Sequence, residues 1–244
     1  MSIPTAETLQ GTALPALTFR FREGAQWVDR TTADLFGGKR VVAFALPGAF
    51  TPTCSSSHVP RYDELADDFA AAGIDDLIVI SVNDPFVMSA WEHDQGTTRV
   101  RYLGDGNGEL TEALGMLVSK RDLAFGDRSW RYAMVVNDGV VEKSFIEPDV
   151  PGDPYGVSDA DTVLGWLNAD AHPVDVVLVG RPGCAHCVRA KAMLSDAGIP
   201  FEEVSASPRR LRALSGRTST PQLFIDGKHI GGADDLGEWL AARG

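Results

Sequence analysis

Cysteine is scarce in this sequence. Only Cys54, Cys184 and Cys187 among 244 residues carry a thiol, an odd number too small for a disulfide scaffold. Positive charge is also short: 22 Lys and Arg stand against 34 Asp and Glu, for a net charge of −12. So acidic a chain lacks the basic surface that non-specific binding to nucleic acid or anionic membranes requires. No apolar run approaches the roughly 20 residues needed to span a bilayer. The opening MSIPTAETLQGTALP has no basic stretch leading into an apolar core, so no secretory signal is expected. These absences predict a soluble cytoplasmic protein with neither nucleic acid nor membrane as partner. Five His and three Cys make no zinc pattern, because the C-x-x-C at 184–187 has no second ligand pair at metal spacing. No metal is expected.

What is present is an ordinary globular balance, 44% hydrophobic and 23% charged residues, in a length that suits one or two domains of roughly 100–200 residues. From 17 to 46 the pattern reads as strands with a turn: LTFRFRE alternates, and VVAFAL (41–46) is a continuous apolar run suited to a buried strand. Next come a predicted helix over 62–73, a buried strand over 77–82, and a helix over 84–96 opened by Asp84 with Pro85 at its first position. VRYLGD reads as a strand, GELTEALG as a short helix, and 131–147 as a hairpin turning at Asn137-Asp138-Gly139. The segment 147–160, rich in Pro, Gly and Asp, is a loop, after which Ser158 or Asp159 caps a helix. NADAHP (168–173) reads as a short linker between a first domain, 1–167, and a second, 174–244.

A second cycle then begins. VDVVLVG is a strand and GRPGCAHC a loop; 188–198 is a helix, FEEVS a strand, PRRLRALSG a helix, QLFIDGKHIGG a hairpin with an Asp226-Gly227 turn, and DDLGEWLAAR a final helix. The fold class is α/β, and both cycles deliver a cysteine after a strand and at the start of a helix. A lone cysteine is ordinarily a small buried apolar residue. A helix start changes that prospect, because unpaired N–H groups and the positive end of the dipole favour thiolate over thiol, and the thiolate is the nucleophile.

Residues 1 to about 167 resemble a peroxiredoxin of the small atypical type 5 class. The resemblance is carried by Pro47, Thr51 and Cys54 within PGAFTPTCSSSHVP, by SVNDPFV (81–87) and by RYAMVVNDG (131–139). It implies that Cys54 is the peroxidatic cysteine and that Thr51 hydrogen-bonds at the sulfur and the peroxide. It further implies that Pro47 shields the thiolate from water and that Arg131 polarises the peroxide. Taken alone, Arg131 reads as a surface ion-pairing residue; beside the threonine–cysteine motif the catalytic reading prevails. His58 reads as an orienting or packing residue.

Residues 173 to 244 resemble a glutaredoxin, through Cys184-Ala185-His186-Cys187, STPQLFIDG (219–227) and HIGGADDL (229–236). The implied fold is thioredoxin-like in both domains, an N-terminal peroxiredoxin fold and a C-terminal glutaredoxin fold. Pro221 is expected to be cis and to face Cys184. Thr220 is expected to present its backbone to the cysteinyl group of glutathione, Asp234 and Asp235 to bind the γ-glutamyl ammonium, and Arg181 to meet the glycyl carboxylate. Capping of the last helix is the alternative role for the two aspartates. Two positions depart from the family: Ala-His stands between the cysteines where Pro-Tyr or Pro-Phe is usual, and Thr220 stands where valine is usual.

Cys54 is the sole cysteine of its domain, so its sulfenic acid needs an outside thiol. The whole chain resembles bacterial peroxiredoxin–glutaredoxin hybrid proteins. That resemblance implies reduction of hydrogen peroxide and organic (alkyl) hydroperoxides, with glutathione or a related thiol as reducing co-substrate and no permanently bound cofactor. The chain is expected to form a homo-oligomer, a dimer or tetramer. The competing readings are a general thiol–disulfide oxidoreductase and a peroxide sensor without sustained turnover.

Overall fold

The structure, a computed structural model, describes residues 4, 9–24, 26–150, 152–169 and 173–243. The chain divides into two compact units, Met1–His172 and Pro173–Gly244. Of the linker read at 168–173, residues 170–172 lie outside the described residues. No helix among the described residues is long and apolar enough to cross a membrane.

In chain order the first unit contains β1 (Thr18–Glu23), β2 (Gln26–Thr31), α1 (Thr32–Phe36) and β3 (Arg40–Ala45). A π-helical turn (Cys54–His58) then runs into α2 (Val59–Glu64) and α3 (Ala66–Ala71), followed by β4 (Asp76–Ser81), α4 (Pro85–Gln95), β5 (Val100–Gly104) and α5 (Glu109–Ala113). The unit continues with β6 (Leu117–Ser119), a 3-10 turn (Arg121–Leu123), β7 (Asp127–Ser129), β8 (Tyr132–Asn137), β9 (Val140–Ile146) and α6 (Ala160–Leu167).

Its central sheet has the order β5-β4-β3-β8-β9. β3, β4 and β5 are parallel, while β8 and β9 join antiparallel. Both faces of β3 are covered, which is why VVAFAL is continuous rather than alternating. Val42 and Phe44 enter one core with Tyr62, Phe69 and Trp91. Val41, Ala43 and Ala45 enter a second with Phe36, Leu103 and Met134. The β8–β9 hairpin turns through Asp138 (φ 48°) and Gly139 (φ 76°), the paired positive φ values of a tight turn whose twist matches its strands. The β3–β8 register pairs Ala45 with Tyr132. Arg131 therefore precedes β8 at the level where β3 ends and the loop to Cys54 begins.

The second unit contains β10 (Val176–Gly180), α7 (Ala185–Asp196), β11 (Glu202–Ser205), α8 (Pro208–Ser215), β12 (Gln222–Ile225), β13 (Lys228–Gly231) and α9 (Ala233–Ala241). Its sheet order is β11-β10-β12-β13. Val176, Leu178, Leu194, Leu223 and Leu236 share its core.

Three expectations need correction. The stretch 17–46 is not strands alone, because Thr31 and Asp34 form a reciprocal capping box that starts α1. The helix read over 62–73 starts earlier and breaks at Leu65, whose backbone (φ −91°, ψ 11°) leaves the helical basin. The helix read from 188 begins at Ala185, because the Cys184 sulfur caps it by accepting from the Cys187 N–H.

Glu147, just past β9, is 2% exposed. Its Oε1 accepts from the N–H groups of Gly156, Val157 and Ser158 and from the Ser158 hydroxyl. Burial raises its pKa, but these donors outweigh burial and hold the carboxyl below its ordinary value. The loop 152–159 is thus closed on one buried anion. Glu147→Gln is expected to lower stability by about 1–3 kcal/mol at neutral pH. A depressed folded-state pKa contributes stability above the ordinary value of about 4.3 and loses it as pH falls through the folded value. Urea unfolding should therefore show the gap between wild type and variant narrowing in acid; a gap that is absent or independent of pH refutes the anchor.

Candidate active site

The loop PGAFTPTC leaves β3 and is held from its neighbour strand. The Asn83 side-chain Oδ1 accepts from the Ala49 N–H (3.0 Å) and the Ser81 hydroxyl (2.7 Å). Phe50 takes a positive φ of 60°. Thr51 donates its hydroxyl to the Gly48 carbonyl at 2.9 Å, and Pro47 is buried. Cys54 follows in the π-helical turn and is 0% exposed.

Arg131 is also buried, at 1% exposure, so it is no surface ion-pairing residue. Its Nη1 donates to Cys54 Sγ (3.6 Å) and to His58 Nδ1 (3.0 Å). Its Nη2 meets both oxygens of Asp153, at 2.6 and 2.7 Å. Its Nε–H is buried without a partner among the described residues. Burial lowers the pKa of Arg131, but Cys54 and Asp153 outweigh it and raise the pKa above its ordinary value.

His58, read as an orienting or packing residue, is buried between Arg131 and the Ser158 backbone. Arginine only donates, so Nδ1 is the acceptor and Nε2 carries the proton, which it gives to the Ser158 carbonyl at 3.2 Å. Burial, then the Arg131 cation, push the His58 pKa down to about 3 against the opposing pull of Ser158 and Asp153. The ring is therefore neutral near pH 7 and does not compete with Arg131 as a second cation. Tyr62 also donates to the Ser158 carbonyl, at 2.9 Å, and its ring stacks on Phe44 at 3.9 Å.

A cavity of about 310 Å³ opens beside this cluster, lined by Pro47, Thr51, Thr53, Lys120, Leu123, Phe125 and Asp153. The arrangement combines a buried thiol, a fixed cation and adjoining space. It can hold a thiolate and steady negative charge developing on a departing oxygen without reorganising. The structure brings Pro47, Thr51, Cys54 and Arg131 together. The sequence reading missed Asp153, Glu147 and Ser158, which lie in an irregular loop where no periodicity marks them.

In the second unit Cys184 is partly exposed and Cys187 buried. Cys184 Sγ accepts from the Cys187 N–H (3.2 Å) and the Thr220 hydroxyl (3.4 Å). As a thiol it can instead donate to the Thr220 carbonyl, at 3.5 Å. Burial opposes ionisation of Cys184, but donors from Cys187, Thr220 and His186 outweigh it and lower the thiol pKa. Burial, then the Cys184 sulfur, push Cys187 up. Cys184 is thus the thiol that ionises first. The Thr220–Pro221 bond is cis, as expected. The Thr220 hydroxyl supplies the sulfur with a donor that valine would lack, a contribution beyond the backbone role expected of that residue.

The outlying candidates are placed differently. Arg181 is exposed. Asp234 is 86% exposed and pairs with Arg189. Asp235 turns back to accept from the Gly232 N–H at 2.6 Å, the helix-start role weighed against ligand binding. Gly231, at φ 131°, lies so close to that carboxylate that a Cβ there would collide with it.

Residues 9–164 match the Redoxin family and residues 176–230 the Glutaredoxin family. Over 240 residues the chain is 55% identical to "Hybrid peroxiredoxin hyPrx5" of Haemophilus influenzae, covering 96% of this chain and 99% of that protein. "Peroxiredoxin sll1621" of Synechocystis sp. is 56% identical over 152 residues, 61% of this chain and 80% of that one. Reduced Prx3 from Vibrio vulnificus, solved in complex with H2O2, superposes with a TM-score of 0.61 at 41% identity, over 65% of this chain and 98% of that one. The Plasmodium falciparum antioxidant protein, a 1-Cys peroxiredoxin, gives 0.63 at 30% identity, over 66% and 99%. The expected fold class holds: a mixed α/β thioredoxin-like peroxiredoxin fold followed by a glutaredoxin domain. With the Redoxin match spanning most of the chain and the similarity to a hybrid protein running its full length, the chain belongs to the peroxiredoxin family, in the hybrid form that carries its own glutaredoxin domain.

Proposed function

We propose that this peroxiredoxin reduces hydrogen peroxide and organic hydroperoxides at Cys54, and that glutathione restores Cys54 through Cys184. The observation that carries the reading is the buried thiol facing a buried guanidinium, Arg131 Nη1 to Cys54 Sγ at 3.6 Å. The Cys54 thiolate attacks one peroxide oxygen. An S–O bond forms, the O–O bond breaks, and the second oxygen leaves as alkoxide or hydroxide and takes a proton. Arg131 stabilises that departing charge, its unpartnered Nε–H being a donor free for an oxygen. Thr51 and Pro47 complete the pocket wall, as a hydrogen-bonding group and as a shield from water.

The product is a sulfenic acid. No second cysteine lies in the first unit, which supports resolution by an outside thiol. The glutathione sulfur attacks the sulfenic sulfur, releasing water and leaving a mixed disulfide on Cys54. The Cys184 thiolate then attacks the glutathione sulfur, and Cys54 departs as thiolate. A second glutathione attacks the same sulfur on Cys184 and leaves as glutathione disulfide. The balance is one peroxide and two glutathiones to one alcohol or water, one further water and one glutathione disulfide. Covalent linkage of the two units raises their mutual effective concentration.

Within this reading Thr220 and Pro221 face the cysteinyl part of glutathione, Arg181 its glycyl carboxylate, and Asp234 and Asp235 its ammonium. Asp234 must exchange Arg189 for that ammonium. The exchange is cheap, since exposed ion pairs are worth about 0–1 kcal/mol. The proposal sets the chain in the reducing cytoplasm, with no permanently bound cofactor.

Two experiments test it. With peroxide, glutathione, glutathione reductase and NADPH, wild type should turn over many times and Cys54→Ser not at all. Arg131→Ala should slow stopped-flow oxidation of Cys54 by about 100-fold or more. Many turnovers by Cys54→Ser, or an unchanged rate in Arg131→Ala, defeats the assignment.

The second experiment divides the thiols of the C-terminal domain. Removing glutathione from a mixed disulfide takes one nucleophile, so Cys184→Ser should lose glutathione-driven turnover and Cys187→Ser should keep most of it. Equal loss in both would require a Cys184–Cys187 disulfide in the cycle. Full activity in Cys184→Ser would mean that free thiols restore Cys54 directly.

A further inference from the structure

The ion pair between Arg131 and Asp153 has no part in the bond-making steps above, yet it takes up one of the guanidinium's three nitrogens. The two partners are unequal: Arg131 is 1% exposed and Asp153 is 46% exposed. Asp153 belongs to the loop 152–159, which Glu147 closes through Gly156, Val157 and Ser158. It also lines the cavity beside Cys54. We propose that Asp153 is a positioning residue for the peroxidase reaction, holding the Arg131 guanidinium so that Nη1 stays on the Cys54 sulfur. The proposal rests on Cys54 being the peroxide-reactive thiol.

The geometry supports it. Nη1 is shared between Cys54 Sγ and His58 Nδ1, and Nε has no partner. Nη2 alone meets a carboxylate, donating to both oxygens of Asp153. Both contacts fall on that one nitrogen, so the carboxylate anchors the Nη2 end of the guanidinium through a charge-assisted pair. Tyr155 adds a ring 5.5 Å from the guanidinium carbon, also close to His58. Without Asp153 the cation stays in place, because it is buried, but its Nη2 end is no longer anchored.

Charge gives this role a signature. The carboxylate takes up part of the cation's field, which would otherwise act on the sulfur alone. Removing it should favour the thiolate at lower pH while slowing the step that needs an aligned donor. Among the described residues, the other charged or titratable groups around the thiol are His58, Arg131, Tyr62, Tyr155, Lys120 in the cavity wall, and Glu147 behind the loop. His58 is neutral near pH 7, its pKa pushed down to about 3 first by burial. Burial chiefly keeps the Tyr155 phenol un-ionised by raising its pKa. Neither masks a shift in the thiol.

The test uses the full chain as wild type, Asp153→Ala, Asp153→Asn and Asp153→Glu. Cys54 oxidation by hydrogen peroxide and its alkylation by iodoacetamide are followed from about pH 5 to about pH 9, with thermal melting as the check on folding. Water in the adjoining cavity can take over hydrogen bonding to Nη2, so the variants should fold. Asp153→Ala should lower the high-pH oxidation rate by about 10- to 100-fold, while its alkylation profile moves to lower pH. Asp153→Asn should share that pH shift with a smaller rate loss, and Asp153→Glu should recover most of the rate. An unchanged oxidation rate in Asp153→Ala overturns the positioning role. So does a lost rate with a profile moved to higher pH, the mark of a damaged site. A wild-type Cys54 that meets peroxide no faster than a free thiol overturns the peroxidase reading, and the positioning role with it.

Discussion

The Arg131 guanidinium is a full charge withdrawn from water at 1% exposure, and a buried charge is tolerated only where it is paired and hydrogen-bonded. Much of the first unit serves that requirement. A thiol, a neutral imidazole and a carboxylate occupy two of its three nitrogens. The imidazole must be neutral, since a second cation at 3.0 Å would be repelled. It is kept so by burial and by the Arg131 cation itself, while the Ser158 carbonyl accepts from the Nε2–H and fixes the tautomer. That carbonyl is placed by the loop closed on Glu147. One buried cation thus explains one buried anion some residues away, an unusual tautomer lock between them, and a loop that would otherwise have little to hold it.

The sheet makes this arrangement possible. β3 and β8 are central strands with both faces covered, and their antiparallel register runs from Arg40–Asn137 to Ala45–Tyr132. A slip of one residue would turn every side chain of either strand to the opposite core. The packing of Val42, Phe44, Ala133 and Val135 on one side, and of Val41, Ala43 and Met134 on the other, therefore fixes where Arg131 emerges. Hydrophobic burial, which is non-directional in itself, here sets the meeting of a cation and a sulfur 77 residues apart in the chain.

How much of this was legible follows from where each residue sits. Pro47, Thr51 and Cys54 lie close in sequence, and Arg131 opens the stretch RYAMVVNDG, so the resemblance to a peroxiredoxin could carry all four. The hairpin turns at Asp138-Gly139 and Asp226-Gly227 were readable because positive φ at both positions demands those residue types. Asp153 and Glu147 were not readable as site residues. One is an aspartate in a loop full of aspartates, and the other follows the end of a strand; what distinguishes each is its partner in space. α1 escaped because five residues carry too little periodicity, although the Thr31-x-x-Asp34 box was there to be seen. Thr220 was read correctly as a departure, but its consequence depended on a hydroxyl-to-sulfur distance that no sequence supplies.

The two sulfurs sit in different surroundings. Cys54 is wholly buried and faces a cation whose own field is shared with Asp153. Cys184 is partly exposed and has no cation bonded to it among the described residues; N–H and hydroxyl dipoles from Cys187 and Thr220 meet it instead. These differences suit different partners. A small peroxide can reach an enclosed sulfur and leaves behind an oxyanion, for which a fixed cation is the right counterpart. Attack on a disulfide brings a bulky sulfur substituent and moves charge from one sulfur to another of similar size, so access matters more and the stabilisation needed is modest. Dipolar donors at a helix start supply that stabilisation without binding a departing thiolate so tightly that it cannot react again.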